Sequence, residues 1–280
     1  MTVILELMRY KNCAMAGLAA VIGAAIAYSA ASGDILWILL VFVTVFLITG
    51  AGNAVNDYFD AAIDTINRPE RPIPSGRIKR ETAFRASIAL FAAGIIVAYF
   101  TGKTLIPFFI AVFNSLLLFF YAFSLKRKVF IGNLTIAYLT GSTFLYGGAA
   151  YGQDGVRITL VLFFLSILAA LAREIVKTVE DMEGDRKEGA VTLPIRIGER
   201  PAAYIASAVG VLAVVLSPLP YAMGLFNKYY LFAVGIADIV FLYAVLLILK
   251  KNPSASSKYF KVAMFFALVA FIAGSVLNRA

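Results

Sequence analysis

Several residue types are scarce or absent in this chain of 280 residues, and each absence narrows the chemistry it can perform. The chain contains no histidine, which excludes histidine general bases, histidine-activated nucleophiles and histidine-ligated zinc or haem. Its single cysteine, Cys13, cannot form a disulfide within the chain and leaves the redox compartment open. Carboxylate, lysine, tyrosine and metal chemistry remain available.

Charged residues are also scarce, at 15% of the chain, whereas they make up about a quarter of soluble domains. Hydrophobic residues account for 61% of the sequence. Apolar runs of about 20 residues recur, and each is long enough to cross a hydrocarbon core of about 30 Å. The sequence therefore predicts an all-α polytopic membrane protein. No linker divides it, so residues 1–280 are expected to form a single transmembrane domain.

Nine candidate spans account for the apolar runs. They lie at 12–31, 35–56, 82–101, 104–124, 131–151, 157–178, 201–220, 229–249 and 259–277. This count places 21 of the 25 lysine and arginine residues on one side, leaving only Lys103, Arg157, Lys228 and Arg279 on the other. The positive-inside tendency then predicts a cytoplasmic N-terminus and an outer C-terminus. Two long polar connections, at 57–81 and 179–200, are predicted on the cytoplasmic side.

The first polar connection begins with a cluster of acidic residues. At about 100° per residue, Asn53, Asp57, Asp60 and Asp64 would lie in one narrow stripe of a helix. Three carboxylates on one face repel each other unless a cation lies between them, and Mg²⁺ suits such oxygen ligands. The alternative is a solvated acidic helix end beside the basic residues that follow it.

The second connection repeats this spacing. Adding 121 to positions 57, 60 and 64 gives 178, 181 and 185, which are Thr178, Asp181 and Asp185. Matched clusters four spans apart favour an internal duplication, with two pseudo-repeated halves that face each other across one site. Carboxylates alone would repel a diphosphate, whereas two Mg²⁺ ions would bridge the two by neutralising both. The clusters therefore predict a magnesium-dependent diphosphate site.

Two motifs carry a family resemblance. The run Asn56-Asp57-x-x-Asp60-x-x-x-Asp64, continued by Arg68-Pro69-x-Arg71-Pro72-x-Pro74-Ser75-Gly76-Arg77, and the run Glu180-Asp181-x-x-Gly184-Asp185 resemble the aspartate-rich motifs of the UbiA family of intramembrane prenyltransferases. The resemblance implies nine helices in one bundle around a central cavity. It also implies a cytoplasmic cap formed by the loops after spans 2 and 6, and a prenyl diphosphate bound through Mg²⁺.

One departure from the family concerns Thr178, because the family usually has aspartate at this position. The second metal site would then lack one carboxylate, and we expect it to bind Mg²⁺ more weakly. Glu174 lies on the same helix face and Glu180 is close in sequence, so either could compensate.

Shorter strings resemble one archaeal branch of the family. They are Arg9-x-Lys11-Asn12-Cys13, the run from Tyr121 to Lys128, and Ile131-Gly132-Asn133 with Ala137-Tyr138-Leu139-Thr140-Gly141-Ser142. That branch joins a geranylgeranyl group from geranylgeranyl diphosphate to the free hydroxyl of geranylgeranylglyceryl phosphate, forming the second ether of archaeal lipids. An aromatic acceptor, as in quinone biosynthesis, is the alternative within the family. Outside it, duplicated helical halves also occur in secondary transporters.

Roles follow for individual residues. The predicted metal ligands and catalytic carboxylates are Asp57, Asp60, Asp64, Asp181 and Asp185. Tyr121 is predicted to flank the carbocation or orient the acceptor hydroxyl, with helix packing as the alternative. The predicted substrate-binding residues are Asn12 (by resemblance only), Asn53, Asn56, Arg68, Arg71, Asn114, Lys126, Arg127 and Lys177. The cations among them could instead only anchor the cytoplasmic face.

Asp238, within the eighth span, is either a cavity residue or an internal hydrogen-bond partner, and we favour the second interpretation. The expected partners of the protein are a prenyl diphosphate, a lipid-like glyceryl phosphate acceptor and membrane lipids. Neither nucleic acid nor an obligate protein partner is predicted. Prenyl length, exact acceptor, oligomeric state and turnover stay open at this point.

Overall fold

The computed structural model describes residues 2–30, 34–187 and 189–276, and within these ranges the regular structure is helical, with no β-strand. The helices are α1 (Val3–Leu7), α2 (Tyr10–Ala30), α3 (Leu36–Asn67), α4 (Arg80–Tyr99), α5 (Ile106–Phe123), α6 (Ile131–Ala149), α7 (Gly152–Glu180), α8 (Met182–Lys187), α9 (Leu193–Ile197), α10 (Glu199–Leu216), α11 (Leu219–Ala222), α12 (Lys228–Leu249) and α13 (Pro253–Val276). A 3-10 turn at Leu125–Arg127 lies between α5 and α6. The predicted all-α class is confirmed.

Eight helices of the described chain are long and apolar enough to cross a membrane. They are α2, α3, α4, α5, α7, α10 with its continuation into α11, α12 and α13. The remaining predicted span, 131–151, is helical as α6 but carries Asn133, Thr135 and Thr140 among its apolar residues. These polar side chains lower the mean hydropathy of α6. Residues 277–280, which include Arg279 and the end of the ninth predicted span, lie outside the described residues.

Both polar connections contain helical residues. Helix α3 continues without a break to Asn67, so residues 57–67 are helix and the connection itself is only 68–79. The helix ends there because Pro69 disfavours helical geometry for Arg68, whose φ is −148° and ψ is 61°. The second connection is also partly helical, since it contains α8 and α9.

The chain divides into two compact units. The first comprises residues up to Leu125 together with Thr143–Thr159, so it contains α1 to α5 and the facing parts of α6 and α7. Its core is rich in alanine, which lets helix backbones approach closely. A Cβ on Gly147 of α6 would collide with the carbonyl oxygen of Ala20 on α2, and one on Gly23 would meet the carbonyl of Phe144. Only glycine fits at this helix crossing.

The second unit comprises Lys126–Ser142 and the chain from Leu160 onwards. Its core joins α7, α10, α12 and α13 around residues such as Ile175, Phe241 and Phe260. The hydroxyl of Ser217, just after α10, donates to Oδ2 of Asp238, in the middle of α12, at 2.7 Å. The interpretation of Asp238 as an internal hydrogen-bond partner is therefore confirmed.

Candidate active site

The end of α3 presents two buried carboxylates to one cation. The side chains of Asp57 and Asp64 are only 4% and 7% exposed. Arg71 Nη1 lies 2.6 Å from Asp64 Oδ2 and 3.2 Å from Asp57 Oδ1, so a single nitrogen contacts both. The Arg71 side chain is itself only 14% exposed. Two carboxylates seven residues apart on one helix face thus share a positive charge that the following loop supplies.

A second arginine reaches the same carboxylate from the N-terminus. Arg9 Nη2 lies 2.5 Å from Asp57 Oδ1. Arg9 stands at the corner between α1 and α2 with φ of 55°, in the left-handed region that non-glycine residues seldom adopt. Next to it, the amide of Asn53 donates to the carbonyl oxygen of Met8 at 2.7 Å. Asn53 and Asp57, one turn apart on α3, therefore fix this corner in place.

Arg9 was not among the residues that we predicted for the site from the sequence. Its partner Asp57 is 48 positions away, so no local spacing pattern connects the two. The only signal was its place in one of the strings that resemble the archaeal branch.

Asp60, the third carboxylate of the cluster, accepts a hydrogen bond from Asn56 Nδ2 at 2.8 Å. Across the described residues, no three or more histidine, cysteine, aspartate or glutamate side chains are gathered closely enough to hold a metal ion. Asp57 and Asp64 nevertheless direct oxygens at one cationic nitrogen, and such oxygens are the ligands that Mg²⁺ takes in proteins. The chemistry of this pair fits a magnesium ion.

The loop that carries Arg71 is tied down by a different arginine. Arg77 makes a two-pronged ion pair with Glu6 of α1, with N–O distances of 2.5 and 2.7 Å, and also donates to the carbonyl of Glu70. Its Nε donates to Ser75 Oγ, and the backbone nitrogen of Ser75 donates to the carbonyl of Arg71. The hydrogen bond from Arg77 lowers the pKa of the Glu6 carboxyl below its ordinary value. The loop is thus held to α1 independently of the Arg71 guanidinium.

The second acidic cluster lies at the junction of α7 and α8. Asp181 is exposed and Asp185 is half-buried. The backbone nitrogen of Asp185 donates to the carbonyl of Asp181 at 3.0 Å, so a helical turn continues across the junction. The predicted spacing on one helix face is therefore kept. The Ala190 nitrogen in turn donates to the carbonyl of Asp185 at 3.0 Å, which folds the chain back after α8.

Thr178 takes part in the hydrogen bonds that join α6 to α7. Its hydroxyl donates to the carbonyl of Ile175 at 2.8 Å. The amide of Asn133, a buried residue of α6, donates to the carbonyl of Glu174 at 2.9 Å and lies 3.4 Å from Thr178 Oγ1. The Glu174 carboxylate is paired with Arg173 at 2.5 Å. Asn133 was missed as a functional candidate because its partners are 41 and 45 positions away.

The other predicted site residues are spread over several elements of the described chain. Asn114 and Tyr121 are both half-buried on α5, seven positions apart, as expected for residues on one helix face. The remainder are Asn12 on α2 and Arg68 after α3, both exposed, Lys126 (half-buried) and Arg127 (exposed) in the 3-10 turn, and Lys177 (exposed) on α7. Their roles stay predictions.

Comparison with known proteins adds independent information. Residues 16–269 match the UbiA prenyltransferase family. A curated relative, the digeranylgeranylglyceryl phosphate synthase of Methanosarcina mazei, is 55% identical over 282 aligned residues, which cover 96% of this chain and 97% of the relative. The enzyme of the same name from Methanococcoides burtonii is 52% identical, with 97% of this chain and 99% of the relative covered.

Solved structures also resemble this chain. One described as digeranylgeranylglyceryl phosphate synthase in membranes has a TM-score of 0.84 and 44% identity, and covers 98% of both chains. A UbiA homologue from Archaeoglobus fulgidus, bound to GPP and Mg²⁺, has a TM-score of 0.69 at 15% identity, with 97% of this chain and 99% of that one covered. At this low identity, the second likeness shows a shared fold.

Proposed function

The chain belongs to the UbiA prenyltransferase family, and from that premise we propose that it transfers a geranylgeranyl group from geranylgeranyl diphosphate to the free hydroxyl of geranylgeranylglyceryl phosphate. The product would carry the second ether bond of an archaeal membrane lipid. Identity of 52 to 55% over nearly the whole length of synthases with this name supports the choice of acceptor. Residues 1–280 would act as a single transmembrane domain.

The observation that carries the proposal is the convergence of Asp57 and Asp64 on one cation at the end of an apolar helix. Buried carboxylates are costly unless a cation compensates them. A site that binds cations at the end of a membrane helix suits a substrate with a diphosphate head and an apolar tail. The apolar and aromatic helices would hold that tail and exclude water from the reacting carbon.

Bound Mg²⁺ would neutralise the diphosphate and make it a better leaving group. We propose that Asp57, Asp60 and Asp64 hold the metal from α3, with Asn53 and Asn56 as orienting amides. Asp181 and Asp185 are proposed, from their matched spacing, as carboxylates for the same diphosphate. Arg68 and Arg71 would add positive charge to the diphosphate oxygens.

The reaction itself is a substitution at an allylic carbon. The C–O bond breaks with both electrons leaving on the diphosphate, and the acceptor oxygen then bonds to the allylic carbon. The acceptor proton passes to the departing diphosphate or to a nearby carboxylate, so no strong general base is needed. Tyr121 would flank the carbocation or orient the acceptor hydroxyl.

The remaining predicted residues are assigned to substrate binding. Asn114, on the same face of α5 as Tyr121, would line the path of the substrates. The groups proposed for the acceptor phosphate or the diphosphate are Asn12, Lys126, Arg127 and Lys177.

The finer topology is likewise a proposal. We expect α6 to be a ninth span, in a bundle of two pseudo-repeated halves, with the loops after spans 2 and 6 forming a cytoplasmic cap. The distribution of lysine and arginine supports a cytoplasmic N-terminus and an outer C-terminus. Cysteines introduced one at a time at Lys79 and Lys228, in a chain with Cys13→Ser, would test this orientation by labelling. Membrane-impermeant reagents added outside should label only position 228.

A two-acceptor assay tests the function. Purified protein with Mg²⁺ and labelled geranylgeranyl diphosphate is offered geranylgeranylglyceryl phosphate in one reaction and 4-hydroxybenzoate in another. We expect label transfer to the glyceryl phosphate alone. Transfer only to the aromatic acid would overturn the acceptor, and uptake into proteoliposomes without any product would indicate a transporter.

Variants then test the carboxylates. We expect Asp57→Ala and Asp181→Ala each to lower the transfer rate by about 100-fold or more, since each removes a carboxylate proposed to hold the Mg²⁺ that neutralises the diphosphate. Glu183→Ala is the matched control, because Glu183 is an exposed acidic residue beside Asp181. Full activity in either aspartate variant would contradict the assignment.

A further inference from the structure

Arg71 lies between two carboxylates. Without it, another cation would be needed to offset their charges. Its Nη1 contacts both Asp57 and Asp64, and all three side chains are at most 14% exposed. Arg9 adds a second positive charge on the same oxygen of Asp57. In this arrangement arginine side chains of the protein offset the charges of Asp57 and Asp64.

The loop around Arg71 does not depend on that ion pair for its position. Arg77 holds it through Glu6 and the Glu70 carbonyl, and Ser75 closes it onto the Arg71 backbone. The Arg71 guanidinium stands at the end of a long side chain with several rotatable bonds. It can therefore leave the carboxylates while the loop backbone stays where it is.

We propose that Arg71 is an internal counter-cation, which holds Asp57 and Asp64 in the metal-free protein and gives them up when Mg²⁺ binds. This rests on the proposed function, since it takes Mg²⁺ and a diphosphate as the ligands. Mg²⁺ alone must compete with an ion pair inside the protein and therefore binds weakly. A diphosphate that arrives with the metal offers the displaced guanidinium a new anionic partner. Metal and diphosphate then strengthen each other's binding.

The location of the cluster explains why metal binding and diphosphate binding should be coupled. Without a cation, two carboxylates at the end of a membrane helix would repel each other and lose the solvation that water provides. An arginine that can move away stabilises the empty protein without blocking the site permanently. It also ties metal uptake to the presence of the substrate.

The test compares Arg71→Met with Arg85→Met in the full-length protein, purified in detergent and stripped of metal. Arg85 is an exposed arginine of α4 with no role in the proposed site, so it controls for the loss of one positive charge. Calorimetric titration with Mg²⁺ alone should show binding to Arg71→Met that is about fivefold or more tighter than to the wild type. Without metal, the melting temperature of Arg71→Met should be lower by about 5 °C or more. Arg85→Met should match the wild type in both.

A second arm measures the coupling. At fixed Mg²⁺, inorganic pyrophosphate should raise the melting temperature of the wild type more than that of Arg71→Met. Arg71→Lys retains the charge but has fewer donors, so its Mg²⁺ affinity should fall between those of the wild type and Arg71→Met.

Equal Mg²⁺ affinity in wild type and Arg71→Met, or equal metal-free stability, would overturn the proposal. Both readouts are independent of turnover. A wild-type protein that transfers no prenyl group would refute the proposed function, and the metal titrations would still decide the role of Arg71.

Discussion

The two acidic clusters share one spacing but differ in what surrounds their carboxylates. In the first, Asp57 and Asp64 are almost completely buried and paired with arginine. In the second, Asp181 is exposed and Asp185 is half-buried, and Thr178 takes the first of the three positions, the one that corresponds to Asp57. Equal spacing therefore specifies a common helix face but does not specify a common electrostatic environment. Asp57 and Asp64 are buried against arginine, whereas the Asp181 side chain is exposed to solvent.

The largest expected effect is on stability in the absence of metal. Asp57→Asn should lower the free energy of unfolding by about 3 to 5 kcal/mol, because it leaves Arg9 and Arg71 with one partner fewer in a buried place. Asp181→Asn should change it by less than about 0.5 kcal/mol, since Asp181 is exposed. Denaturation of both metal-free variants in detergent measures the difference. Equal losses of unfolding free energy in the two variants would show that the two clusters do not differ in electrostatic environment.

A smaller effect on stability is expected from the Asn133 hydrogen bonds to α7, which involve Thr178 of the second cluster. Asn133→Leu should cost about 1 to 3 kcal/mol of stability, since it leaves the Glu174 carbonyl without its buried donor. Thr178→Val should cost less, about 1 kcal/mol, through the lost hydrogen bond to Ile175. The double variant measures their coupling, because the two side chains are in contact. Strict additivity would show that the Asn133–Thr178 contact contributes nothing.

The third prediction makes the second cluster more like the first. Thr178→Asp should lower the Mg²⁺ concentration needed for half-maximal transfer by about tenfold, because it adds a carboxylate at the position where the family usually has one. Thr178→Asn, which has the same shape without the charge, is the control and should not lower it. An unchanged or higher requirement in Thr178→Asp would contradict our interpretation of this position.

The smallest expected effect concerns the loop beside the first cluster. The Glu6 carboxyl has a lowered pKa in the folded protein, so its pairing with Arg77 stabilises the fold above the ordinary pKa of glutamate. That contribution is lost as the pH falls through the lowered value. Wild type should thus melt slightly above Arg77→Gln at neutral pH, and the gap should close in acid. Melting curves across this range, at low salt, measure it. A gap that persists in acid would argue against an ionic origin.

Much of the fold could be predicted from the sequence, because long apolar runs have few alternatives in a membrane. Within the described residues, each of the nine predicted segments is largely helical, and eight helices pass as spans on length and hydropathy. The second predicted span ends at residue 56, whereas α3 continues to Asn67, because charged residues end the apolar run without ending the helix. Pro69 was the better signal for the end of α3.

The candidate site was only partly predictable. The motif residues were found from their spacing, which depends only on helix geometry. Arg9 and Asn133 were not found, since each contacts a residue more than 40 positions away and these contacts depend on the packed structure. The arginine pairing of Asp57 and Asp64 was missed for a related reason. A sequence shows which charged residues are present but does not show which of them pack together away from water.

The left-handed corner at Arg9 has a consequence for truncation of the chain. A chain shortened to begin at Met15 would contain the whole of α3 and both aspartate motifs. It would lack the Arg9 guanidinium that pairs with Asp57 and the Met8 carbonyl that accepts a hydrogen bond from the Asn53 amide. Such a shortened chain would keep its long apolar runs and yet should be less stable, because the buried Asp57 would lose one of its arginine partners.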